Sequence, residues 1–157
     1  MIERIISGGQ TGADSGGMIA ATELGITILG FMPQGFRTEA GPRPEYAALG
    51  LVEDSSYAYQ PRTIKNVQMS SGVVLFGNTR SAGSRLTAQT AISLGKPLIS
   101  NPSTDALRAW IEQHEITVLM IAGNRESVNP GIGERVRAIV VEALTTPAGR
   151  ATVGNPS

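Results

Sequence analysis

Three stretches place glycines among hydroxyl and amide side chains directly after apolar runs. The first is Gly8, Gly9, Gln10, Thr11, Gly12, Ala13 and Asp14. The second runs from Gly77 through Asn78, Thr79, Arg80, Ser81, Ala82 and Gly83 to Ser84, and the third from Gly123 through Arg125, Glu126 and Ser127 to Gly133. Glycine lets backbone N–H groups come close to a ligand, and N–H groups opening a helix carry partial positive charge. Such turns suit an anion. Arginine supplies a planar fork for phosphate or carboxylate, and eleven of the thirteen basic residues are arginine. Arg37, Arg43, Arg62, Arg80, Arg85 and Arg125 lie in these turns, beside them, or in the long segment 32–46. The expected ligand is small, anionic and phosphorylated.

Groups for catalysis are scarce. The chain has one histidine, His114, and no cysteine, which excludes disulfides, a thiol nucleophile and a His/Cys metal site. His114 is expected at a helix end far from the turns, so no Ser–His–Asp set can be assembled. Asp14, Glu39, Glu45 and Glu126 are the carboxylates near the turns, and none has a spacing that demands a general base. Asp14 falls in the first turn of a helix, where it can complement the dipole or meet a ligand. The first turn reads G-G-x-x-G, no acid closes the second strand, and no G-x-x-x-x-G-K-[ST] occurs, which weakens NAD and excludes a P-loop. A net charge of zero argues against nucleic-acid and membrane-surface partners. The N-terminus lacks a leader pattern, and the longest apolar runs are too short for a bilayer, so a cytoplasmic protein is expected. Charged residues make up 17% of the chain, below the usual quarter, and a homo-oligomer with covered surface is expected.

Positioning the three turns requires strands before them and helices after them. Strands are expected near 2–7, 26–31, 73–76, 97–100 and 118–122, and helices near 13–24, 62–69, 85–94, 104–114 and 132–144. Pro61 suits a first helical position and Thr104 an N-cap. Continuous apolar strands alternating with helices predict an α/β domain: a doubly wound, Rossmann-like parallel sheet of five to six strands, helices on both faces. Ligands of such sheets lie beyond the carboxyl ends of the strands, the edge where all three turns fall. Ten of the nineteen glycines sit on or just behind that edge. One domain over 1–146 is expected, followed by a tail over 147–157 that lacks periodicity and is expected to be disordered.

Taken together, residues 6–14, 32–42, Arg62, Thr63, Asn66, 86–97 and 122–134 resemble the molybdenum carrier family, the molybdenum cofactor carrier proteins. The family lies within the LOG or lysine-decarboxylase-like Rossmann superfamily. The resemblance implies a non-enzymatic protein that binds and protects the molybdenum cofactor (molybdopterin), with the metal carried by the cofactor and no protein-ligated metal. It implies a homodimer or homotetramer, with molybdoenzymes as recipients. The carried-over ligand residues are Gly8, Gly9, Gln10, Thr11, Gly12, Asp14, Arg37, Asn78, Thr79, Ser81, Gly83, Ser84, Arg125, Glu126 and Ser127. The alternatives are a LOG-type nucleotide phosphoribohydrolase or a nucleotide-ligand sensor. The hydrolases carry P-G-G-x-G-T-x-x-E at the second turn, whereas Thr87 and Gln89 stand near the position of that glutamate here.

Overall fold

A computed structural model describes residues 1–145, and the tail expected over 147–157 lies outside the described residues. Along the chain run β1 (Arg4–Ile6), α1 (Ala13–Leu24), β2 (Thr27–Met32), β3 (Arg37–Thr38), β4 (Gly41–Pro42), a 3-10 turn over Pro44–Leu49 and β5 (Leu51–Glu53). There follow α2 (Tyr59–Met69), β6 (Gly72–Phe76), α3 (Ala82–Ser93), β7 (Leu98–Ser100), α4 (Thr104–Gln113), β8 (Val118–Gly123) and α5 (Ile132–Leu144). Six strands form one sheet in the order β5-β2-β1-β8-β6-β7, and every pairing in it is parallel. β3 and β4 form a separate antiparallel pair. The predicted Rossmann-like α/β sheet is therefore the observed one.

Side chains of a strand alternate between faces, and here the alternation feeds two cores. Ile5, Val74, Leu119 and Ile121 join Ala13, Ala21, Leu107, Trp110 and Val136 in one cluster. Ile6, Val73, Leu75, Met120 and Ala122 join Val67 and Ala91 in the other. Thus α1, α4 and α5 cover one face and α2 and α3 the other.

Several boundaries differ from the sequence expectation for local reasons. β3, β4 and β5 are two or three residues long, too short to leave a periodic signal. α3 begins at Ala82 because Ser81 caps it, accepting from the Ser84 N–H at 3.3 Å. α4 is capped by Ser103 rather than Thr104, through the Ala106 N–H at 3.1 Å. α2 begins at Tyr59, which leaves Pro61 inside the first turn, where its missing N–H costs nothing. His114 caps the far end of α4, its ring tilted against Trp110 with the centroids 5.8 Å apart, at the strand edge opposite the glycine turns. No helix among the described residues is long and apolar enough to cross a membrane.

Close helix packing fixes the entry of α1. Gly12 has φ +79, and a Cβ there would collide with the Asn124 carbonyl. One turn later, a Cβ on Gly16 would collide with the Gly133 carbonyl at the start of α5. Gly16→Ala should therefore cost about 1–3 kcal/mol, the usual price of overpacking. A urea midpoint that falls with an unchanged m-value checks this, and an unchanged midpoint contradicts it.

Candidate functional site

β1 sends its helix to one face of the sheet, β6 sends its helix to the other, and β8 lies between them. That divergence opens a crevice beyond the carboxyl ends of these strands. Buried Asn124, at the end of β8, holds its sides together. Its carbonyl accepts from the Ala13 N–H at 3.1 Å and its N–H donates to Phe76 O at 3.2 Å. Its side chain accepts from the Asn78 N–H at 2.6 Å and donates to Asn78 O at 3.0 Å. All three glycine turns are thereby joined through one residue that the sequence reading did not single out.

Within the crevice lies a cleft of about 260 Å³, lined by residues including Gln10, Asp14, Tyr59, Arg62, Thr63, Ser81, Gly83, Ser84, Thr87 and Arg125. Among the described residues, three buried side-chain polar atoms have no hydrogen-bond partner: Gln10 Nε2, Arg62 Nε and Ser84 Oγ. All three residues line this cleft, and they are only 5%, 9% and 4% exposed. Unpaired buried polar groups are costly and uncommon. The orientation of Gln10 is fixed, because its Oε1 accepts from the Thr11 N–H at 3.0 Å and the Glu39 N–H at 2.9 Å. Its amide nitrogen must then face the cleft as a donor. Ser84 stands in the first turn of α3, where the helix terminus adds positive potential. Each of the three orphan groups can donate, so the missing partner is an acceptor.

Gly8 makes room for the arginine. A Cβ on Gly8 would overlap the Arg62 guanidinium, so this side chain lies flat over the first turn. Three guanidinium groups surround Tyr59: Arg37 at 4.1 Å, Arg125 at 5.1 Å and Arg62 at 5.4 Å from the ring centre. A second depression, of about 650 Å³, adjoins the cleft and shares Tyr59 and Arg125 with it. Its wall includes the β3–β4 pair, which Glu39 ties down. The Glu39 carboxylate accepts from the hydroxyls of Thr11 and Ser127 and from the Ser127 N–H. Those bonds from Ser127 and Thr11 hold its pKa below the ordinary glutamate value.

The structure brings Gln10, Asp14, Ser81, Gly83, Ser84 and Arg125 to the cleft and Arg37 to the adjoining depression. Three amides of the first turn are used within the protein. Gly9 donates to Ser7 Oγ, Gln10 to Asp14 and Thr11 to its neighbour Gln10. The loop therefore faces the cleft with the Gln10 side chain rather than a row of N–H groups, and Gly9, Thr11 and Gly12 lie outside the cleft lining. Asn78 pairs with Asn124, and Thr79 also lies outside the lining. Glu126 accepts from the N–H groups of Gly131 and Gly133 at the start of α5, and Ser127 serves Glu39. Thr63 lines the cleft, whereas Asn66 binds the backbone of Phe31 at 2.7 and 3.0 Å and pins α2 to β2. Tyr57 and Tyr59 were missed. Two tyrosines within three residues, in a chain with seven aromatics, were the available signal.

Burial pushes the Asp14 carboxyl up to about 6, against the opposing pull of Arg62 and the Gln10 N–H. Burial likewise lowers the Arg62 pKa, and Asp14 opposes that shift. An acid whose folded pKa is raised binds more protons folded than unfolded, so its stability contribution declines as pH rises between 3.8 and about 6. Asp14→Asn removes that penalty. Relative to the wild type the variant should gain up to about 3 kcal/mol across this window, and the difference between them should be constant above it. Urea midpoints of both proteins from pH 4 to 7 check this, and a pH-independent difference would contradict it.

The comparisons with known proteins agree with this fold. A family profile described as "Circularly permutated YpsA SLOG family" matches residues 5–144. Among curated proteins none matches the chain. A crystal structure titled "Putative molybdenum carrier protein", from Syntrophus aciditrophicus SB, is 33% identical and superposes with a TM-score of 0.83. The match covers 92% of this chain and 96% of that one. The profile spans the sheet and all three turns, and the chain belongs to the circularly permutated YpsA SLOG family.

Proposed function

We propose that the chain is a carrier for the molybdenum cofactor, a phosphorylated pterin with dithiolene-held molybdate, which it binds and shields for storage or transfer. The observation that carries this reading is the convergence of three unpartnered buried groups, Gln10 Nε2, Arg62 Nε and Ser84 Oγ, on one cleft. Each can donate to an oxyanion. Arg125, which makes no side-chain hydrogen bond among the described residues, stands at the mouth with its charge available. The solved relative bears the name of a molybdenum carrier, which supports the choice of ligand. In this reading molybdenum arrives with its dithiolene and needs no ligand from the chain. The carrier is cytoplasmic, works as a homodimer or homotetramer, and passes its cargo to molybdoenzymes.

Gly83 supports close approach by a ligand. It lies in the first turn of α3, and a Cβ there would meet nothing in the protein. Packing therefore does not explain a residue that weakens a helix relative to alanine. The reading also favours binding over hydrolysis. Thr87 lies where a catalytic glutamate would be useful, and its hydroxyl donates to Gly83 O at 3.0 Å.

Purified protein mixed anaerobically with free molybdenum cofactor should co-elute with it and slow its oxidation once air is admitted. AMP incubated with the protein should be recovered unchanged. Failure to retain or protect the cofactor would overturn the carrier reading, and release of adenine would turn it toward the hydrolase. Arg125→Ala should weaken cofactor binding by about 1.5–3 kcal/mol through loss of a charge-assisted contact. Gly83→Ala should keep or raise the melting temperature yet lower affinity, and an unchanged affinity would remove Gly83 from the site.

A further inference from the structure

We propose that the depression beside the cleft is a stacking site for a planar heteroaromatic ring, held against Tyr57 while the ligand's oxyanion occupies the cleft. This rests on the oxyanion reading above and adds the ring. The depression, of about 650 Å³, shares Tyr59 and Arg125 with the cleft, so one ligand can reach both compartments.

Its wall is built flat and rigid. The Arg37 guanidinium lies between two tyrosine rings, 4.3 Å from the centre of Tyr57 and 4.1 Å from that of Tyr59. Arg37 also donates from Nε and Nη2 to the Tyr57 carbonyl, at 3.2 and 2.8 Å. The stack is therefore held in place without a ligand. Tyr57 belongs to neither hydrophobic cluster, and it is 63% exposed. With Arg37 over one face of its ring, the other face is open to solvent. Two of the three tyrosines in the chain stand at this one depression, and folding does not require the exposed one. Alternating guanidinium and aromatic planes attract the faces of flat rings. Gln34 lines the same depression, and its side chain makes no hydrogen bond among the described residues. It offers the paired donor and acceptor of an amide to a ring edge.

The test compares phosphates with and without a heteroaromatic ring. Ribose 5-phosphate, AMP and 6-hydroxymethylpterin phosphate are titrated calorimetrically into wild type, Tyr57→Leu and Tyr57→Phe. Tyr57 does not line the cleft, so Tyr57→Leu leaves the oxyanion contacts intact. Stacking one ring on an aromatic side chain is worth roughly five- to hundredfold in affinity. In wild type at least one ring-bearing phosphate should bind at least tenfold more tightly than ribose 5-phosphate. Tyr57→Leu should abolish that gain without changing ribose 5-phosphate binding, and Tyr57→Phe should keep it. Equal binding of ringed and ringless phosphates, or a gain that survives in Tyr57→Leu, overturns the ring site while leaving the oxyanion reading standing. If none of the three phosphates binds, both fall.

Discussion

The side chain of Asn124 exchanges two hydrogen bonds with the backbone of Asn78, while its carbonyl receives the Ala13 N–H and its own N–H reaches Phe76 O. One buried residue thus sets the spacing among the turns after β1, β6 and β8. The cleft exists in the gap this spacing leaves, since α1 and α3 depart to opposite faces of the sheet. An amide suits the position because it can accept from and donate to the backbone of one residue at once. An aspartate there would present an acceptor to the Asn78 carbonyl, and an aliphatic side chain would leave both backbone groups unpaired.

On that frame rests an electrostatic arrangement that favours acceptors. Arg62 is buried beside Gly8 with Asp14 as its nearby negative charge, and Arg37 and Arg125 add two more guanidinium groups around Tyr59. Mutual repulsion among them depresses the Arg62 pKa further, after burial itself. An incoming oxyanion relieves that repulsion and satisfies the orphan donors together. The same oxyanion raises the cost of a charged Asp14, so ligand and proton favour each other at this floor of the cleft.

Much of this was legible from residue order. The apolar runs near 73–76 and 118–122 and the glycine turns after them located the central strands and the edge where the cleft lies, because buried parallel strands and strand-to-helix turns leave strong local patterns. What local pattern cannot carry is how a polar group is used. Glu126 and Ser127 sit in the third turn as expected, yet their hydrogen bonds go to α5 and to Glu39. The N–H groups of Gly9, Gln10 and Thr11 are likewise satisfied at home. Gln10 was legible as a polar residue at the edge, but its orientation depends on Glu39, twenty-nine residues away. Tyr57 precedes α2 and Tyr59 opens it without any motif, and their pairing appears only once Arg37 is brought against both rings.

β8 is the last strand along the chain, but it lies inside the sheet, between β1 and β6. Until it is in place, β1, β2 and β5 form one group, β6 and β7 another, and no strand joins them. Before residue 118 appears, the two groups therefore have no native strand to join them. Closing them requires contacts across more than a hundred residues, the slow kind of step in folding. Asn124 and Arg125 arrive with that same strand, so the cleft is complete only once β8 is seated between β1 and β6.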